Sequence, residues 1–223
     1  MDVTMTPAAP APVKPMLRGV SHQVGFFIAI VAGAALVVAA PGNAAKLVCG
    51  IYAVSLANLL GTSALYHRPT WSLRARARMR RLDHSAIFVL IAGTYTPLAL
   101  TLPSDTARTM LSVAWVGAII GVARALFWIN APKWVVAVLA LTMGWLALLY
   151  LPTVGKVAGA PVLWWMAAGG VLYSLGALAY AFRKPDPWPR VFGYHEVFHA
   201  LVLAAAVCHF VAIVIALPAI RGG

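Results

Sequence analysis

Seven apolar runs, each close to the ~20 residues a helix needs to cross a hydrocarbon core, follow one another along the chain. They cover roughly 21–40, 45–67, 82–102, 107–128, 134–151, 161–182 and 194–217. Pro41-Gly42-Asn43, Pro103-Ser104-Asp105, Asn130-Ala131-Pro132, Pro152 and Pro185-Asp186-Pro187-Trp188-Pro189 fall between them, where helices are expected to stop. Soluble layers have no place in such a chain, since 62% of its 223 residues are hydrophobic and only 10% are charged. The expected fold is an all-α integral membrane protein, a seven-transmembrane helix bundle over residues 20–218. Residues 1–19, rich in Pro and Ala and without hydrophobic period, are expected to form a disordered lead. The first run exceeds the ~7–15 residues of a signal-peptide core, so it is expected to be retained as a span. Pairs such as Gly117 and Gly121 suit close helix packing, and no stretch is left for a receptor-sized ectodomain.

The formal net charge of +12 does not point to nucleic acid. The basic residues stand between apolar runs rather than along one amphipathic face, which suits anionic lipid headgroups. Lys14, Arg18, Arg68, Arg74, Arg76, Arg78, Arg80, Arg81, Lys133, Arg183, Lys184 and Arg190 fall on one side, with Arg124 able to reach it. Lys46, Arg108, Lys156 and Arg221 fall on the other. The positive-inside rule then puts the N-terminus in the cytoplasm and the C-terminus outside. Cys49 and Cys208 both lie inside apolar runs and read as small buried hydrophobes.

Against this background the chemistry-bearing residues share one depth. His195 and His199, four apart, stack on one helix face at the start of the last run, a spacing that lets one metal ion take both imidazoles. His67 ends the second run and Asp83 begins the third, about 15 residues further on, while Ser63 lies one turn deeper than His67. If the second, third and seventh helices are neighbours, Ser63, His67, Asp83, His195 and His199 form one cluster near the cytoplasmic interface. Three neutral imidazoles with an open fourth position describe a catalytic-type zinc centre, with Asp83 and Ser63 beside its water. Asp83, read as lying in the first turn of its helix, would be kept ionised by the helix dipole. Hydrogen-bonded interhelix contacts are the plainer reading for any lone histidine, and His22, His84 and His209 are assigned to it.

The stretches Ser63-Ala64-Leu65-Tyr66-His67, Leu82-Asp83-His84-Ser85-Ala86, Ala92-Gly93-Thr94-Tyr95-Thr96-Pro97, His195-Glu196-Val197-Phe198-His199 and Cys208-His209-Phe210 together resemble the bacterial hemolysin III family. That family lies within the progestin and adipoQ receptors, which include the adiponectin receptors, and is related more distantly to alkaline ceramidases. The resemblance begins near Ser21-His22-Gln23-Val24-Gly25 and runs to the last span. It implies a seven-helix bundle in the bacterial inner membrane, with zinc on His67, His195 and His199 and with Asp83 and Ser63 around the metal. It departs at Leu17-Arg18-Gly19, where similar proteins tend to carry acidic residues.

Several functions compete for these residues. The first is zinc-dependent hydrolysis of a lipid amide or ester, with Asp83 as proton acceptor, Ser63 orienting, and the substrate entering from the inner leaflet. Another is a sensor or regulator of lipid homeostasis in which zinc is structural. A pore is disfavoured because the outer halves of the spans carry no continuous polar stripe. His195-Glu196-Val197-Phe198-His199 also fits the zinc-protease signature with Glu196 as base, but no acidic residue follows Glu196 to supply a third ligand. Glu196 is expected instead at the pocket rim.

Overall fold

Residues 14–220 are described by a computed structural model in which every expected apolar run is helical. The elements are α1 (Val20–Ala39), α2 (Gly42–His67), α3 (Leu73–Ala99), α4 (Ser104–Phe127), α5 (Lys133–Trp145), α6 (Leu151–Ala158), α7 (Ala160–Phe182) and α8 (Tyr194–Ala216). Helix starts follow local chemistry. Pro41, Pro103 and Pro132 precede α2, α4 and α5 in extended conformation, where a residue without N–H costs nothing. Ser72 caps α3 by accepting from the Ala75 N–H at 3.4 Å.

The chain is an all-helical, multi-pass membrane protein. Helices α1, α2, α4, α7 and α8 are each long and apolar enough to cross a membrane, and α5 with α6 makes a sixth span if taken together across a 51° bend. Helix α3 has the length, 27 residues, but Arg74, Arg76, Arg78, Arg80 and Arg81 make its first third incompatible with lipid.

Three expectations change. The arginine run between the second and third spans is not a loop: Arg, Ala, Met and Leu are strong helix formers, nothing in the run breaks a helix, and α3 starts at Leu73. The connection from His67 is therefore only 68–72, and Asp83 lies ten residues inside the helix rather than in its first turn. The dipole argument for Asp83 lapses, because that field is confined to the terminal turn. Pro152 does not open a loop either. It stands in the first turn of α6, after a 3-10 turn over Leu146–Leu149, and so divides the fifth run into two helices.

Residues 1–13 of the expected lead lie outside the described residues. Residues 14–19 are tied down: Met16 and Leu17 donate backbone hydrogen bonds to Arg190 and Val191 carbonyls at 3.0 and 3.1 Å.

Sequence neighbours pack in order, α1 on α2, α2 on α3, α3 on α4 and α7 on α8, and α1 also meets α8. Small residues set the approach. A Cβ at Gly121 would stand 2.2 Å from the Phe88 ring, and one at Gly117 would stand 2.9 Å from Met143. These two glycines thus do what their spacing suggests, admitting a side chain where helices cross. Phe27, Val31 and Val38 on α1 point outward as a lipid-facing surface requires, while Tyr52, Phe88, Leu98 and Ile213 fill the interior. Cys49 and Cys208 are free and buried.

Candidate metal centre

His67 is the last residue of α2, and His195 and His199 lie in the first two turns of α8. One ring nitrogen from each of the three falls within 4.8 Å of the others. The His67 and His195 Nε2 atoms are 3.1 Å apart, and the ring centroids are 4.6 Å apart for His67–His195, 5.0 Å for His67–His199 and 4.5 Å for His195–His199. Nitrogens at ~2.0–2.1 Å from a tetrahedral zinc stand about 3.3 Å from each other, so the trio fits such an ion with little movement. Nδ1 of His199 is buried with no hydrogen-bond partner, and so is Nδ1 of His22 stacked on it, so imidazole nitrogens beside the trio are left to be satisfied by a bound group. The donor set of three imidazoles suits zinc better than hard cations, which take oxygen ligands.

The predicted oxygen groups are placed with the histidines. Ser63 is hydrogen-bonded to the Asp83 carboxylate, which accepts. Both line the same cavity as His67, His195 and His199, a space of about 930 Å³. The cavity runs from Lys14, Trp71 and Arg76 at one end, past the histidines, to Leu151, Met166 and His209 at the other.

Two residues assigned to plain packing prove to be neighbours of the cluster. His22 on α1 stacks on His199 and lies with Nε2 3.3 Å from the His199 carbonyl. His84 is buried and lines the cavity, although a rotation of about 100° from Asp83 seemed to carry it away. That rotation does not take it out of a cavity this wide. His209 keeps its expected role as an interhelix contact, with Nε2 3.2 Å from the Met166 carbonyl.

Glu196 is not at the rim of the cavity but almost wholly buried beside α1. It pairs with Arg18 and accepts the Gly193 N–H at 2.9 Å. Asp186 accepts the Tyr194 N–H at 2.8 Å, so two carboxylates satisfy the first free amides of α8 and fix where His195 stands. Arg18, in the stretch where the resemblance departs, is therefore connected to the cluster through Glu196. No sequence period could have found this link, because Arg18 and Glu196 are 178 residues apart.

The sequence profile of the family described as Haemolysin-III related matches residues 11–210. A hemolysin-3 homolog of Bacillus subtilis is 30% identical over 198 residues, covering 86% of this chain and 89% of its own. Hemolysin-3 of Bacillus cereus is 29% identical over 197 residues, covering 86% and 87%. The adiponectin receptor protein of Drosophila melanogaster is similar over a shorter stretch, 47% identical over 51 residues, which is 21% of this chain and 12% of the receptor.

Proposed function

The chain belongs to the haemolysin-III-related family, and from that premise we propose that it is a zinc-dependent hydrolase of a lipid amide or ester. The observation that carries this reading is the placement of three imidazoles and the Asp83–Ser63 pair on the wall of one large cavity. In this reading His67, His195 and His199 hold the zinc. When bound, the metal supplies Lewis acidity.

The remaining roles belong to the chain itself. Asp83 accepts the proton of the attacking water, and Ser63, donating to its carboxylate, holds it in the orientation that transfer requires. His22, stacked on His199, keeps that ring in place. The apolar walls formed by residues such as Leu90, Ala140 and Met166 accept the acyl chain and keep bulk water from it.

The protein is proposed to cross the bacterial inner membrane seven times, with α3 as a span from Leu82 onward and with the N-terminus in the cytoplasm and the C-terminus outside. Arg68, Arg74, Arg78, Arg183 and Lys184 all sit at the end of the bundle where α2 stops, α3 starts and α7 stops, which supports this orientation. The cavity then opens to the inner leaflet, and membrane lipids rather than nucleic acid are its partners.

One observation favours a second reading, the sensor with structural zinc. Helices α2 and α8 share little direct packing, so a metal on His67 and His195 would be a clasp between them. A zinc protease is disfavoured because Glu196, its required base, is engaged by Arg18 and the start of α8.

The deciding experiment is metal analysis of purified protein together with lipid mass spectrometry before and after incubation with membrane lipid extracts. Stoichiometric zinc with release of a fatty acid supports the hydrolase. Stoichiometric zinc with no lipid converted, under conditions where the protein stays folded, moves the assignment to the sensor.

A further inference from the structure

Helices α2 and α8 carry the three candidate ligands yet hardly pack on each other, so other parts of the chain must keep His67 next to His195 and His199. Residues 14–19 reach both helices. On the α2 side, Lys14 Nζ donates to the Arg68 carbonyl at 2.7 Å, just past His67, where helix carbonyls lack partners of their own. On the α8 side, Arg18 pairs with the buried Glu196, and the Met16 and Leu17 amides donate to carbonyls of the segment leading into α8. One short stretch of backbone thus bridges the end of α2 and the start of α8.

Gly19 is where this stretch seats. Its φ of +77° is left-handed, and a Cβ there would stand 2.8 Å from Cβ of His67. The backbone therefore touches a ligand residue directly, and only glycine suits both the turn and the approach. Helix α1 continues the bridge inward: His22 stacks on His199, and a Cβ at Gly25 would stand 2.7 Å from Leu203 of α8 and 3.5 Å from Leu60 of α2. Gly19, His22 and Gly25 recur every three residues, so one side of α1 is wedged between the two ligand-bearing helices.

We propose that residues 14–19, seated through Gly19, are a strap that holds the three imidazoles at ligand spacing before any metal is bound. Arg18 and Gly19 are positioning residues: Arg18 acts through Glu196 and Gly19 through His67. Such preorganisation raises metal affinity, because the ordering entropy is lost on folding rather than on binding. The proposal rests on the assignment of a metal to the three histidines and not on hydrolysis. It also opposes the sensor reading, in which the metal itself is the clasp.

The first test leaves the strap intact. Spin labels at Leu65→Cys on α2 and Ala200→Cys on α8, both exposed, are placed in the full chain with Cys49 and Cys208 replaced. Electron paramagnetic resonance is expected to give one narrow distance distribution that stays the same when zinc is chelated. A distribution that broadens or moves on chelation would overturn the strap, since the metal would then be holding the ligands. Gly19→Ala is expected to weaken zinc about 10- to 100-fold in chelator competition and to broaden the metal-free distribution, with saturating zinc restoring the narrow one. Gly42→Ala meets the same kind of backbone strain, at φ +70°, but at the far end of α2. It is expected to lower the thermal midpoint and leave zinc affinity unchanged, and an equal loss of affinity in both variants would overturn the positioning role. If Gly19→Ala does not fold, Arg18→Gln carries the same expectation, and wild-type zinc affinity there counts against the strap. A wild type that keeps the narrow distribution but takes up no zinc sinks the metal assignment and not the bridge between α2 and α8.

Discussion

His22 on α1 lies flat against His199 on α8, with ring centroids 3.9 Å apart and planes 10° from parallel. Both rings are almost fully buried, so the stack joins the first helix to the last and holds one candidate ligand in place. His22→Ala is expected to weaken zinc about 10- to 100-fold in a chelator competition titration, without changing the stoichiometry at saturation. His22→Phe, which keeps a flat ring but loses the contact to the His199 carbonyl, is expected to fall between. Wild-type affinity in both variants would show that the stack is packing alone.

Zinc held jointly by His67, His195 and His199 links three places in the chain through one ion. His195→Ala and His199→Ala should each lose the metal and lower the thermal midpoint. Chelation of wild type should lower it by a similar amount and should do nothing further to the variants. Full zinc content in either purified variant would show that the ligand set is wrong.

Asp83 and Ser63 are separable from metal holding. Asp83→Asn is expected to keep zinc and to cut turnover by about 100-fold or more, because an amide cannot act as a base near neutral pH. Ser63→Ala, which removes only the donor to that carboxylate, is expected to cost roughly tenfold. Undiminished turnover in Asp83→Asn would sink the proton-acceptor role.

Glu196 belongs to the scaffold in this account. Glu196→Gln breaks its pairing with Arg18, which is partly exposed, and should destabilise the fold by roughly 1–3 kcal/mol in thermal or denaturant unfolding. Turnover per zinc-loaded molecule should be unchanged. A general base at Glu196 predicts the reverse, a stable protein with no activity.

Orientation can be read by cysteine labelling, in a background where Cys49 and Cys208 are replaced. Thr70, in the short connection before α3, and Asn43, at the start of α2, are both exposed. In intact cells a membrane-impermeant thiol reagent should modify Asn43→Cys and spare Thr70→Cys. The opposite pattern would invert the bundle and place the cavity mouth outside.

Run length and hydropathy alone determined that this chain is a helical membrane protein, because a backbone in lipid must satisfy its own hydrogen bonds and a helix does so within one segment. The four-residue step from His195 to His199 likewise put two imidazoles on one face before any fold was known. Local patterns failed where two rules disagreed. The arginines of 74–81 read as a loop by polarity yet are helical by propensity, and Pro152 reads as a stop yet begins α6. What only the tertiary structure decided are contacts that no local period encodes: His22 stacked on His199 and Arg18 on Glu196. Each joins residues brought together by packing around a common axis, and a sequence fixes the face a side chain shares with its own helix but not the helix it will meet.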